Sequence, residues 1–203
     1  MSTNHEPDLI AGLPAVTDAE LTALHERLVR DAGAAGVLDV AYRTLDTPVG
    51  ALLLAATEDG LVRVAFATEG HDLVLESLAA RVSPRILRAP GRLDEAAREI
   101  DEYFAGRRQR FDLPLDYRLS SGFRRTVLAR LPSIEYGKTV SYANVASDVG
   151  SPKAFRAVGT ACATNPLPVV VPCHRVVKSG GDLGSYRGGP EAKRFLIDLE
   201  AAA

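Results

Sequence analysis

The 203-residue chain has only two cysteines, Cys162 and Cys173. Two are too few for a disulfide framework, and their scarcity points to a reducing, cytoplasmic setting. No apolar stretch approaches the roughly 20 residues that a membrane-spanning helix needs, so no membrane partner is expected. The opening residues, MSTNHEPDLIAGLP, lack a basic segment followed by an apolar one, and no secretory signal is read there. The half of the chain before Tyr117 has no cysteine, and His71, its one histidine beyond the first helix, has no neighbour at ligand spacing. A metal site in that half is not expected. Beyond these absences the composition is ordinary: 46% hydrophobic and 25% charged residues suit one compact domain, or two small ones, with a filled core.

The net charge of −2 hides an asymmetry. From Tyr117 onward there are 12 Lys and Arg against 6 Asp and Glu, and before it 12 against 20. A basic half joined to an acidic one suggests that the C-terminal part meets a polyanion, although a plain solvated surface would give the same count.

The periodicities divide the chain into 1–35, 36–116 and 117–203. The first part is a loose arm over 1–16 and a helix announced by the capping box Thr17-Asp18-Ala19-Glu20, with Leu21, Leu24, Leu28 and Val29 at helical spacing. The second has three β-like runs, Val37–Leu45, Gly50–Ala56 and Leu61–Ala67, then helices over His71–Val82 and Leu93–Phe104 and a connection over Arg107–Leu119. It reads as a small α+β domain around an antiparallel sheet. The third is mainly helical. Phe123, Val127, Leu128 and Leu131 line one helix, and Tyr142–Val149 forms another with Val145 and Ala146 inward. Gly150-Ser151-Pro152 breaks the chain, with Ser151 as cap and Pro152 at the first helical position of a helix over Lys153–Ala163. That helix offers Ala157, Val158 and Ala161 for packing. The pair outlines a helix-turn-helix. If the second helix faces DNA, Lys153 meets phosphate, Ala154, Ala157 and Gly159 allow close approach, and Arg156 projects towards the bases; the alternative for Arg156 is a surface ion pair.

Asn165-Pro166-Leu167-Pro168 ends this helix. Val169-Val170-Val171, β-branched throughout, suits a buried extended segment that delivers Cys173 to a turn beside His174 and Arg175. Cys173 reads as a reactive thiol, a metal ligand or a small core residue, and its polar neighbours favour the first. Zinc finds no second close cysteine or histidine. A Cys–His pair is chemically reasonable, with Glu200 in a last helix over Glu191–Ala201 to orient the imidazole. Neighbours on an extended chain point to opposite sides, so a bridging water or a turn is needed between Cys173 and His174.

At Pro172-Cys173-His174-Arg175-Val176 the chain resembles the 6-O-alkylguanine-DNA alkyltransferase family. Tyr136 through Tyr142 resembles that family's entry to its helix-turn-helix. Arg156-Ala157-Val158-Gly159 resembles its recognition helix, and Asn165-Pro166 its hinge. Leu183 through Gly189 resembles its substrate loop, and Leu196 through Glu200 its closing helix. The agreement in order and spacing runs from about Ser120 to Glu200.

The resemblance implies DNA repair by a single-turnover transfer. Duplex DNA is bound through the minor groove by a monomer, and a 6-O-methylguanine is flipped into a pocket. Arg156 takes its place in the stack, with Lys153, Ala154, Ala157, Gly159 and Tyr142 at the DNA. Cys173 accepts the methyl or small alkyl group, His174 its proton through water, and Glu200 steadies the imidazolium. Tyr142 donates a proton to the guanine, and Asn165 fixes the turn. Val176, Ser185, Tyr186, Arg187 and Gly188 line the base pocket. No cofactor and no structural metal are implied. Phe155 departs from the family, standing where many relatives have a smaller residue. Two alternatives stand beside this reading: a lesion-binding protein without alkyl transfer, and a Cys–His–Glu hydrolase.

Overall fold

The computed structural model describes residues 16–202. Apart from Val16, the arm expected over 1–16 lies outside them. The chain divides into two compact units, Met1–Val37 and Leu38–Ala203. The first unit contains α1, Asp18–Ala34, and its start is chemically explicit. The Thr17 hydroxyl accepts from the Glu20 amide at 3.3 Å and the Glu20 carboxylate accepts from the Thr17 amide at 2.9 Å. This reciprocal pair satisfies two of the donors that every helix start leaves open.

The second unit is α+β. Its N-terminal part holds β1 (Val40–Leu45), β2 (Leu52–Thr57), β3 (Gly60–Phe66), α2 (His71–Arg81), β4 (Ile86–Arg88) and α3 (Asp94–Phe104). The strands lie in the order β3-β2-β1-β4. The pairings β1–β2 and β2–β3 are antiparallel, with Leu45 opposite Leu52 and Phe66 opposite Leu52 on the other side. The three expected runs form the antiparallel part of the sheet, and a fourth strand joins its edge: β4 pairs with β1 in parallel, Val40 opposite Ile86, so the sheet is mixed. The helix α2 lies between β3 and β4 in the chain, a crossover that lets β4 run alongside β1 in the same direction.

Every residue of β2 and β3 is buried, so both faces of these strands are covered, which fits their near-continuous apolar sequence. On one face Val40, Leu53, Ala55, Val62 and Ala65 pack with Val74 and Leu78 of α2. The outer edge of β3 is covered too. The Leu61 amide donates to Pro114 O at 2.8 Å and the Asp116 amide to Leu61 O at 2.9 Å, while the Val64 amide donates to Pro166 O at 2.8 Å. An edge strand that would otherwise present free amides is thereby fastened to the hinge that precedes Cys173.

The remaining elements are helical apart from one short ladder: α4 (Gly122–Arg130), β5 (Val140–Ser141), α5 (Tyr142–Asp148), α6 (Phe155–Ala163), β6 (Val176–Val177) and α7 (Gly189–Ala201). The two-residue strands β5 and β6 pair in parallel. Ser141 caps α5 by accepting from the Asn144 amide. The expected start of the next helix at Lys153 is corrected: α6 begins at Phe155. Ser151 closes a turn instead, its carbonyl accepting from the Ala154 amide at 2.8 Å, and this turn takes up Pro152 and Lys153. Val158 and Ala161 are buried as their spacing requires, whereas Ala157 faces solvent and does not pack. Among the described residues no helix is long and apolar enough to cross a membrane.

Candidate active site

The stretch before Cys173 is buried, as its composition suggests, but it is not extended. Leu167 to Val171 forms a tight turn in which Val169 has φ 72°, a left-handed conformation that a β-branched residue rarely adopts. The reason is Asn165. Its side-chain oxygen accepts from the Leu167 amide at 2.9 Å and its Nδ2 donates to Val171 O at 2.9 Å, and the Val171 amide closes on Leu167 O at 2.8 Å. An asparagine that supplies both a donor and an acceptor to its own loop outweighs the β preference of three valines. The same Nδ2 donates to Cys173 Sγ at 3.2 Å.

Cys173, His174 and Arg175 then form a single 3-10 turn, all three buried. The turn separates the directions of neighbouring side chains. His174 Nε2 pairs with Glu200 Oε1 at 2.7 Å, which leaves Nδ1, a buried atom with no hydrogen-bond partner, as the nitrogen free to take a proton. Arg175 grips the same carboxylate twice, Nε to Oε2 at 2.9 Å and Nη2 to Oε1 at 3.0 Å, and gives Nη1 to Ile134 O at 2.6 Å. The Tyr103 hydroxyl donates to Glu200 Oε1 at 2.7 Å, and the Gly137 amide to Oε2 at 3.2 Å. Gly137 has φ 72°, and a Cβ there would stand 2.9 Å from Glu200 O, so only glycine brings that amide so close.

These contacts determine charge. Burial raises the Glu200 pKa, but donation from His174, Arg175 and Tyr103 outweighs it and brings the value down to about 2. Burial holds His174 below its ordinary value against the pull of Glu200, so the imidazole is neutral at rest. Burial pushes the Cys173 thiol up to about 11, with the Asn165 hydrogen bond and the Lys193 charge opposing. The sulfur is therefore a thiol until a base acts on it. Tyr142 is pushed up to about 12, first by burial and then by the two thiols, and keeps its proton at neutral pH.

The substrate-loop residues lie around this group. Gly184, at φ 69°, lets the Tyr142 hydroxyl approach so closely that a Cβ would be 2.5 Å from it. Tyr186 is buried, edge-on to His174 at 6.4 Å between centroids and to Phe66 at 5.7 Å. Gly188 backs onto the Phe66 ring, and Ser185 is exposed. Val176 is fully buried in β6. Arg187 turns to Glu69, which Arg63 also binds. Cys173, His174, Glu200, Asn165 and Tyr142 thus share one region. Arg156 and Lys153 do not belong to it. Both are exposed, Lys153 in the turn before α6 and Arg156 in its first turn beside exposed Phe155, over whose ring the Arg156 guanidinium sits at 5.7 Å.

Three participants escaped the sequence reading. Tyr103 lies inside the helix expected over Leu93–Phe104 with no role of its own, and Arg175 stands in the sequence only as a neighbour of the cysteine. Lys193 was not singled out at all. It is fully buried and donates to Val176 O at 2.6 Å and also to Leu183 O, joining β6 to the substrate loop. A signal for it existed: Lys193, Leu196 and Glu200 fall on one helical face. A lysine on the buried stripe of an amphipathic helix needs partners.

Comparison with known proteins places these features in a family. Residues 122–202 match the model described as the 6-O-methylguanine DNA methyltransferase DNA binding domain, and residues 40–117 match the ribonuclease-like domain of the same protein class. The chain is 41% identical over 163 residues to the constitutive methylated-DNA–protein-cysteine methyltransferase of Bacillus subtilis, covering 78% of this chain and 94% of that protein. The Mycobacterium tuberculosis (strain ATCC 25618 / H37Rv) methylated-DNA–protein-cysteine methyltransferase is 38% identical over 159 residues, covering 78% and 91%. Among solved structures, Mycobacterium tuberculosis OGT in complex with DNA superposes with a TM-score of 0.71 at 36% identity, covering 80% of this chain and 93% of that one.

Proposed function

The chain belongs to the 6-O-methylguanine DNA methyltransferase family and repairs DNA by moving an alkyl group from guanine to a cysteine of its own, and we propose that Cys173 is that cysteine and that its neighbours divide the work of the transfer. The observation that carries this reading is the line of groups Cys173, His174, Glu200. It holds a neutral buried thiol, an imidazole with one nitrogen committed and the other available, and a carboxylate that stays ionised.

A guanine bearing a methyl group on its 6-oxygen is unreachable within the stack, so the nucleotide flips out of the duplex. The pair α5 and α6 meets the minor groove as a monomer. Lys153 faces phosphate, Ala154, exposed Ala157 and Gly159 leave room for the backbone, and Arg156, pre-positioned by Phe155, fills the gap left by the base. In the pocket, Val176, Ser185, Tyr186, Arg187 and Gly188 surround the base.

His174 Nδ1 takes the thiol proton through a water, and Glu200 stabilises the imidazolium that forms. The sulfur attacks the alkyl carbon. The S–C bond forms as the O–C bond breaks, and the electron pair of the latter passes to the guanine. Tyr142 gives the guanine a proton, matching the one the thiol lost. The product thioether is stable, so each molecule reacts once. Asn165 acts on geometry, holding the sulfur at the end of the turn it makes.

Incubation with a duplex oligonucleotide containing 6-O-methylguanine, followed by intact mass, tests the assignment. One methyl group is gained by the wild type and none by Cys173→Ala. An unchanged wild-type mass together with tight binding of the lesion would replace this reading with that of a binding protein, and repeated turnover of an ester with that of a hydrolase.

A further inference from the structure

A cavity of about 360 Å³ opens between α2, the start of α4 and the hinge, and it shares Arg187 with the substrate loop. Four arginines line it: Arg63 from β3, Arg81 from α2, Arg124 from α4 and Arg187 from the substrate loop. A single carboxylate, Glu69, faces them, and it is shared by Arg63 and Arg187. Arg81 and Arg124 have no carboxylate partner among the described residues. Each instead gives one N–H to the same acceptor, Leu119 O, at 3.5 Å and 2.6 Å. A guanidinium carries five donors in a planar fork, so most of the hydrogen-bonding capacity of this pair remains unspent at the mouth of the cavity. Burial, and then the charges of Arg187 and Arg81, work against the ionised state of Arg63, with Glu69 opposing them. Convergent like charges of this kind raise the energy of the empty cavity, and an anion relieves it.

We propose that this cleft is a binding site for a phosphate-class oxyanion, held by Arg81 and Arg124 at its mouth with Arg63 and Arg187 behind them. The chemistry favours phosphate because forked guanidinium donors match its tetrahedral oxygens two at a time, which a point-like cation does not. The place also separates this site from the proposed groove contact. Thr164, which lines the cavity, caps the C-terminal end of α6, whereas Arg156 stands at its beginning. The occupant is a free phosphate or a phosphodiester of a nucleic-acid strand, and the two share the chemistry that the arginines recognise.

Titration calorimetry of the full chain decides it, with inorganic phosphate added at constant ionic strength. Saturable binding is expected in the wild type. It should weaken about tenfold or more when Arg81→Gln and Arg124→Gln are combined, the size expected for losing charge-assisted hydrogen bonds. The variant Arg98→Gln, which removes one positive charge outside the cleft lining, should bind as the wild type does. Glu69→Gln removes the one competing carboxylate and should tighten binding. A dinucleotide with a single phosphodiester forms the second arm: competition with phosphate identifies a strand as the source, and absence of competition identifies the free anion. No saturable binding of either compound to the wild type overturns the proposal, and that holds even if the double variant does not fold. Undiminished binding in a folded double variant overturns it as well.

Discussion

Cys162 and Cys173 are both free, both 1% exposed, and both have thiol pKa values pushed upward by burial. They differ in what surrounds the sulfur. Cys162 sits on the inward face of α6 with Val158 and Ala161. Cys173 begins a turn, receives the Asn165 amide and is followed by a histidine already bound to a carboxylate. Burial alone therefore does not mark a reactive thiol or an inert one. In the proposed mechanism the neighbouring base decides, because a proton held at a pKa of about 11 leaves readily only when it has somewhere to go.

This contrast can be broken at its strongest point first. His174→Ala should make Cys173 resemble Cys162, lowering the alkyl-transfer rate at pH 7 by about 10³-fold, within the usual range for a general base. The residual rate should then climb about tenfold per pH unit towards the thiol value near 11, since only spontaneous ionisation remains. Single-turnover rates across pH check both parts, and a flat profile in the variant would remove His174 from the role of base.

The next effect concerns stability. Glu200 has a folded-state value of about 2 against an ordinary 4.5. Its contribution is present above the ordinary value and disappears as pH falls from about 4.5 to about 2. The linkage amounts to about 3 kcal/mol at neutral pH. Urea unfolding of Glu200→Gln should show a loss of that order at pH 7, and a much smaller gap from the wild type at pH 2. The smallest effect is expected on the other side of the comparison. Cys162→Ala should leave the transfer rate within about twofold and cost about 1 kcal/mol, the scale of a small buried group. A rate collapse there would mean that the two thiols work together.

Much of this was legible in the chain because local chemistry decided it. The capping box at Thr17, the runs that became β1 to β3 and the helical stripe of α4 follow from short-range spacing. What stayed hidden depends on distant partners. Ile86–Arg88 is too short to show alternation, and only its pairing with Val40 to Tyr42 makes it a strand. Ser151-Pro152 has the composition of a helix start, yet Ser151 spends its carbonyl on a turn. The valines before Cys173 favour an extended chain by propensity, and a single asparagine side chain bends them. At the site, the resemblance supplied the residues from Tyr142 to Glu200. The roles of Tyr103 and Arg175 lie in contacts with residues distant in the sequence, which no local pattern reports, whereas Lys193 shows there only as a lysine on the buried stripe of α7.

Glu200 collects its donors from Tyr103, Gly137, His174 and Arg175, all of which precede it in the chain. The ribosome therefore makes the thiol well before it makes the carboxylate. A nascent chain that has not yet presented α7 carries Cys173 with no anion to balance a protonated His174. In the proposed mechanism a thiol that reacts once is thus set only when α7, the last of the described helices, brings Glu200 to His174.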